Sequence, residues 1–260
     1  MNSKFLRFAA IALLLAMPFA AASQLAAADY MKTVTEMGPF SIQGMEQPGR
    51  TDTAEVWLET DRSAMISAEG QTFVLRGDLG EMYFIDGTKK SYVKVPIDFM
   101  SKLDQAIAES HGDSAADQAK AMTQSLFDNM EVTVVATDST KKVGKWNARL
   151  YDITIAMPMG NVYTKSWNST DINIDVAMYQ SVANAVMASM PGFEKMLAKM
   201  SQLKGATVES VSTMNMGGAE VVTTSRLIEY AKKDAPADVF EIPEGYTEDP
   251  AGLGGMMGGY

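Results

Sequence analysis

The segment TAEVWLET at residues 53–60 decides the fold class, because apolar and polar side chains alternate along it. Successive side chains of a strand point to opposite faces of its sheet. Ala54, Val56 and Leu58 would therefore share one face, and the two glutamates would share the other. This alternation predicts a β-strand with one buried face, which is typical of an antiparallel sheet.

Short segments of the same kind lie along the rest of the chain, separated by turn residues. Asp86-Gly87 is typical of a tight hairpin, since these residue types tolerate the positive φ angles that such turns need. Further strands are predicted at residues 65–68, 72–76, 81–86, 91–95, 131–137, 146–156, 161–167, 206–214 and 219–230.

Two longer segments carry apolar residues at helical spacing. Residues 97–129 and 175–204 are therefore predicted to be helical, with Gly205 as the C-terminal cap of the second segment. Because strands come first in each half of the chain and a helical insertion follows, we expect an α+β fold. We expect one antiparallel sheet, curved or forming an incomplete barrel, with the helices on one of its faces.

The first 28 residues have the pattern of an export signal. Lys4 and Arg7 precede an apolar run at residues 8–20, and small residues follow up to Ala28. We expect cleavage after Ala28, and Ala20-Ala21-Ala22 is an equally suitable site. The predicted organisation is a signal peptide at 1–28, a single domain at 29–246 and a flexible tail rich in glycine and methionine at 247–260.

The chain contains no cysteine, so neither a lipid anchor at the new N-terminus nor a disulfide can form. After the signal, no apolar run is long enough to span a bilayer, so we expect no integral membrane segment. The sequence therefore predicts an exported, periplasmic protein that is not a lipoprotein.

Charge and residue content exclude several classes of function. The 32 acidic and 22 basic residues give a net charge of −10, which disfavours nucleic acid as a partner. The single histidine, His111, and the lack of cysteine exclude multi-histidine and thiolate metal sites. No Gly-x-Ser-x-Gly motif occurs, so the sequence does not support hydrolase chemistry. We expect a protein that is not an enzyme and that has no cofactor and no metal centre. The basic loop with Lys141, Lys142 and Lys145 is interpreted as a solvated hairpin tip.

Three segments together suggest a family. They are YFIDGTKKSY at residues 83–92, KKVGKWNARLY at 141–151 and FEIPEGY at 240–246. This pattern resembles the bacterial secreted proteins grouped as domain of unknown function 4412, which are similar to LolA- and LppX-like lipoprotein carriers. The resemblance implies an unclosed antiparallel barrel with helices over its concave face. It also implies an apolar cavity for acyl chains or a lipoprotein anchor, and no catalytic residues.

The most unusual feature of the composition is its 21 methionines. Methionine is flexible and polarisable, so it suits a surface that adapts to variable apolar ligands. Ordinary core packing of helices on a sheet would produce the same spacing. The candidate cavity-lining residues in the two helical segments are Met100, Met122, Met178, Met187, Met190, Met196 and Met200.

The sequence thus predicts a non-enzymatic periplasmic protein that binds a lipid, a lipoprotein acyl chain or another apolar ligand between sheet and helices. One alternative is a structural or interaction protein with a dry core, whose sheet edge or acidic surface binds a protein partner. A second alternative is a Cu(I) binder, because thioether sulfur is a soft ligand and methionines lie two residues apart at 157 and 159 and at 214 and 216.

Overall fold

Most of the described chain is β-sheet. The computed structural model describes residues 27–42, 44–99, 130–157, 160–174, 193–216 and 218–249. The strands are β1 Ala28–Met37, β2 Phe40–Ile42, β3 Met45–Gln47, β4 Arg50–Leu58, β5 Arg62–Ser67, β6 Gln71–Arg76, β7 Glu81–Asp86, β8 Ser91–Pro96, β9 Glu131–Val143, β10 Trp146–Met157, β11 Gly160–Ser169, β12 Ala206–Met216, β13 Ala219–Lys233 and β14 Thr247–Glu248. A single helix, α1, covers Phe193–Met200 within these ranges.

Twelve of these strands form one sheet. Their spatial order is β14-β8-β7-β6-β5-β4-β1-β13-β12-β11-β10-β9. Neighbours are antiparallel, except that the two-residue β14 runs parallel to β8. The short strands β2 and β3 pair with each other as a separate hairpin. In the described ranges the sheet is therefore open, with β9 at one edge and β14 at the other.

The α+β prediction is wrong for the part of the chain that the structure describes. Strands dominate there, and no layer of helices covers a face of the sheet. Most of the two predicted helical segments, at 100–129 and 175–192, lies outside the described residues. Helical spacing of apolar residues shows that a segment can form an amphipathic helix, but it does not show that the helix packs on a sheet.

Gly205 is not a helix cap. The helix α1 ends at Met200, and Gly205 lies just before β12 with a φ of 78°. A Cβ atom at this position would lie 2.2 Å from the carbonyl oxygen of Ser169. Glycine is needed here because the loop approaches the end of β11 closely, and the left-handed backbone also disfavours other residues.

The strands predicted at residues 131–137 and 146–156 leave a polar loop at 138–145 between them. In the structure the loop that joins β9 to β10 is much shorter. Only Gly144 and Lys145 form the turn, and Val143 pairs directly with Trp146. The polar residues before the turn belong to β9, and its register with β10 shifts between the pairs Arg149–Thr140 and Tyr151–Ala136. A β-bulge of this kind lets an edge strand carry polar residues without ending the ladder.

The turn between β7 and β8 forms at the predicted place by a different mechanism. The carboxylate of Asp86 accepts hydrogen bonds from the backbone N–H groups of Thr88, at 3.0 Å, and Lys89, at 3.1 Å. The positive φ falls on Lys90, at 51°. Gly87 is required for space instead, because a Cβ atom there would lie 2.7 Å from the carbonyl oxygen of Gly70.

Three apolar clusters support the sheet. The first includes Phe240, which comes from the segment after β13 and packs on β1 and β4–β7. The second joins Ile172 and Ile174, which follow β11, to residues of β1, β4 and β13. The third joins α1 to β9, β10 and β11. No helix in the described ranges is long and apolar enough to cross a membrane.

Candidate ligand-binding face

All methionines with described side chains in the twelve-stranded sheet lie on one of its two faces. Residues that pair directly across antiparallel strands share a face, and residues two apart in one strand do as well. Met31 pairs with Val56, and Val56 pairs with Met65. The remaining assignments follow in the same way along the ladder. The methionines are Met31, Met37, Met65, Met82, Met157 and Met214. We call this side of the sheet the methionine face.

One continuous row of apolar and aromatic residues crosses the methionine face from β8 to β13. Its members, in order, are Val93, Phe84, Phe73, Met65, Val56, Met31 and Tyr230. The Phe73 and Phe84 rings lie 5.1 Å apart between centroids, at 50° to each other. Val93 and Met31 are buried, and the other five are half-buried. We call this set the apolar row.

A parallel row next to it is aliphatic up to β4 except for the buried Ser63. Its members are Val95, Met82, Leu75, Ser63, Leu58, Asp29 and Lys232. Asp29 is buried, and its carboxylate accepts hydrogen bonds from the Tyr230 hydroxyl at 2.8 Å and from Lys232 Nζ at 2.9 Å. The charge at this end of the row is therefore paired and bonded, as a buried carboxylate requires.

Hydroxyl groups occupy the central part of the methionine face. Thr35, Ser225, Ser210 and Ser166 pair in sequence across β1, β13, β12 and β11. The Thr35 hydroxyl lies 3.3 Å from that of Ser225, and in the adjacent row Thr164 and Ser212 lie 2.8 Å apart. Hydroxyl groups are uncharged, so this part of the face is polar but carries no charge.

Ion pairs are concentrated on the opposite side of the sheet, which we call the charged face. Lys32 Nζ lies 2.9 Å from a carboxylate oxygen of Glu55. Lys32 follows Met31 in β1 and Glu55 precedes Val56 in β4, so both side chains are on the side opposite to the methionine face. Three further pairs lie on this side. They are Lys94 with Glu81 at 2.5 Å, Lys165 with Asp152 at 3.5 Å, and Arg226 with Glu209 at 3.0 Å. The charged face thus carries these ion pairs in addition to the buried apolar cluster that contains Phe240.

Glu209 is the centre of a cluster on the charged face. Its carboxylate bonds both Lys141 and Arg226, and Lys141 Nζ also lies 4.3 Å from the centroid of the Trp167 ring. Burial raises the pKa of the Glu209 carboxyl, but the hydrogen bonds from the two cations outweigh it and hold the pKa below its usual value. Lys141 is thus held by specific partners and not in a solvated hairpin tip.

Two of the seven predicted cavity-lining methionines fall within the described residues. Met196 and Met200, both in α1, pack in the apolar cluster that contains Tyr151, Ile153 and Met214. These three partners all lie on the methionine face. Met100, Met122, Met178, Met187 and Met190 lie outside the described residues.

The strand methionines and the apolar row were not among the predicted site residues. Alternation within a strand indicates that Met65 and Ile66 lie on opposite faces of the sheet. It does not show which residues of the neighbouring strand share a face with Met65. That relation depends on the pairing register, which long-range contacts decide. The only signal in the sequence was the high methionine content itself.

The described residues contain no group of three or more His, Asp or Glu side chains placed to hold a metal ion. Met214 packs among apolar residues, and the side chain of Met216 lies outside the described set. A shallow groove of about 440 Å³ lies where β1 ends and where β4 and β13 begin, and Glu36, Arg50 and Thr224 contribute to its lining. It contains no member of the apolar row.

Comparisons with known proteins add little. No protein-family model matches the sequence, and no curated protein matches it. A solved structure described as "Structure of PNGF-II in C2 space group" aligns with a TM-score of 0.34 and 10% sequence identity. The alignment covers 86% of this chain and 32% of that one, so the chain spans about a third of the structure it matches. A likeness this distant carries no argument about fold or function, and membership of the family suggested by the sequence stays a prediction.

Proposed function

We propose that this protein is a non-enzymatic, exported binding protein that holds a lipid or the acyl chain of a lipoprotein against the methionine face. The observation that carries the proposal is the apolar row, in which seven consecutive strands place an apolar or aromatic side chain side by side. The proposal does not depend on a layer of helices over the sheet.

The composition of the apolar row suits a flexible, uncharged chain. Met65 is half-buried and provides a thioether that can change rotamer at little cost, so ligands of different branching can be accommodated. Phe73 and Phe84 provide broad, rigid contact area. Burial of apolar surface would drive binding, offset by the cost of ordering the ligand.

The length of the row also fits such a ligand. Neighbouring strands lie about 4.8 Å apart, so a row across seven strands spans roughly 29 Å. The hydrocarbon core of a bilayer, which two layers of acyl chains fill, is about 30 Å thick. One fully extended acyl chain therefore needs roughly half of the row.

Native mass spectrometry of the full chain, exported by a bacterium and purified without detergent, tests the proposal. We expect a heterogeneous lipid-sized adduct that disappears on denaturation. Met65→Lys places a charge in the apolar row and should lower adduct occupancy at least tenfold. Ile66→Lys is the matched control, because Ile66 is equally half-buried in the same strand but faces the opposite side.

Three results would count against the proposal. They are a bare wild-type mass, an adduct that both variants lose equally, and an adduct that neither variant loses. Circular dichroism melting of each variant shows whether a lost adduct reflects a lost fold. A Cu(I) adduct in the same spectrum would support the methionine-based copper binder instead.

A protein-interaction role is the second candidate, and exposed apolar residues on the charged face favour it. Val135 is 51% exposed, Tyr163 46% and Val222 36%. Tyr163 and Val222 both pair with Thr213, so they lie two strands apart in one row. Crosslinking in intact cells through a photoreactive residue at 163 should capture a protein partner if this role is correct. The same residue at 165 serves as the control, because that position is polar and ion-paired.

A further inference from the structure

The beginning of β1 bears on where the export signal is removed. Ala28 is the first residue of this strand, is 3% exposed, and packs in the apolar cluster with Tyr30, Trp57 and Ala64. It also pairs with Lys233 at the end of β13. Ala28 is therefore part of the folded domain, although the sequence pattern alone allows cleavage directly after it.

Cleavage after Ala28 would damage the fold at this point. It would remove a buried side chain from the cluster and one residue from the ladder with β13. It would also create an ammonium group on Asp29, a residue that is 5% exposed and whose carboxylate already bonds Lys232 and Tyr230. Burying a second cation there carries a desolvation cost that an intact peptide bond does not.

We infer that the signal is cleaved after Ala22, so that the mature chain begins at Ser23. In this step water adds across the Ala22–Ser23 peptide bond and gives an Ala22 carboxylate and a Ser23 ammonium. Alanines at positions 20 and 22 satisfy the requirement for small residues before the cleaved bond. Residues 23–27 then separate the new N-terminus from β1. The inference rests on the proposed export of the protein.

The N-terminus of the exported protein decides the matter. The full chain is expressed with its own signal, the periplasmic fraction is isolated, and the N-terminal peptide is identified by mass after denaturation. We expect a chain that begins at Ser23. A chain that begins at Asp29, or anywhere else, would overturn the inference while leaving export intact. An uncleaved chain retained in the cytoplasm would overturn export, and with it the proposed location of the binding function.

A matched pair of variants separates the two sites without depending on folding. Ala22→Val places a branched residue directly before the proposed cut, and the uncleaved precursor should accumulate. Ala28→Val makes the same change at the other site, and the N-terminus should stay at Ser23. Accumulation of precursor in Ala28→Val, with normal processing of Ala22→Val, would contradict the inference. Since the mass is measured on denatured protein, a destabilised variant still gives an answer.

Discussion

The Nζ atom of Lys233 lies 3.3 Å from the centroid of the Tyr30 ring and 5.0 Å from that of Trp57. The two rings are themselves in contact, with 4.6 Å between their centroids. Lys233 is the last residue of β13, where the chain leaves the sheet and carries Phe240 onto the charged face. The cation–π contact therefore holds the last residue of β13 against Tyr30 of β1 and Trp57 of β4, at the point where the C-terminal segment begins.

Lys233→Met should lower the free energy of unfolding by about 1–2 kcal/mol, because a cation over buried aromatic rings contributes on that scale. Lys233→Arg should retain most of the stability, since guanidinium also stacks on aromatic rings. Urea denaturation measures both effects. Lys165→Met removes only an exposed ion pair, 3.5 Å from Asp152, and should change stability by less than about 0.5 kcal/mol. Equal losses in Lys233→Met and Lys165→Met would contradict a specific role for the cation–π contact.

Alkaline titration should reveal three tyrosines that ionise late, Tyr30, Tyr83 and Tyr230. Burial together with the neighbouring Asp29 carboxylate raises the pKa of Tyr230 well above its usual value. Burial raises the pKa of Tyr30 and that of Tyr83 to about 12, and neighbouring glutamates add to the rise in each case. In the unfolded chain both groups ionise near pH 10. The unfolded state thus loses protons first between pH 10 and 12, and stability falls as the pH rises through that window.

Ultraviolet absorbance of phenolate measures this ionisation directly. Tyr30→Phe and Tyr83→Phe should each remove one late-ionising group from the titration curve. Tyr163→Phe is the control, because Tyr163 is 46% exposed. If the wild-type curve contains no component above pH 11, the burial argument for Tyr30 and Tyr83 fails.

Glu209→Gln should destabilise the protein at neutral pH by about 1–3 kcal/mol, since Lys141 and Arg226 would lose the carboxylate that bonds them both. The pKa of Glu209 is lowered in the folded state, so its contribution is present above the usual glutamate pKa and is lost as the pH falls through the lowered value. The variant should therefore lose less stability on acidification than the wild type. Asp152→Asn, which removes the more exposed ion pair with Lys165, should lower the stability at neutral pH by less than about 0.5 kcal/mol.

Gly205→Ala should cost far more stability than Gly218→Ala. Both glycines have a left-handed backbone, with φ of 78° and 82°. A Cβ atom at 205 would meet the Ser169 carbonyl oxygen at 2.2 Å, whereas nothing lies within 4 Å of one at 218. The Gly218 variant should pay only the backbone cost of about 1 kcal/mol. Thermal melting distinguishes the two, and similar midpoints would show that the loop at 205 can move away from β11.

The sequence by itself determined the local features of this protein. Alternation of apolar and polar side chains located β4 and most of the other long strands, because a strand's faces are encoded two residues at a time. The Asp86 turn was also found locally, since its carboxylate bonds backbone N–H groups two and three residues ahead. The lack of cysteine and the single histidine excluded whole classes of metal site without any structure.

Only the tertiary structure decided how the strands combine. The pairing of Met31 with Val56 depends on how β1 meets β4 across the intervening hairpin of β2 and β3, and a shift of one residue would turn Met31 or Val56 to the charged face. The same holds for Gly205, whose need for glycine comes from Ser169 on another strand. The α+β prediction is wrong for a related reason. Helical spacing is a property of one segment, whereas a layer of helices on a sheet depends on contacts between segments, which the spacing does not encode.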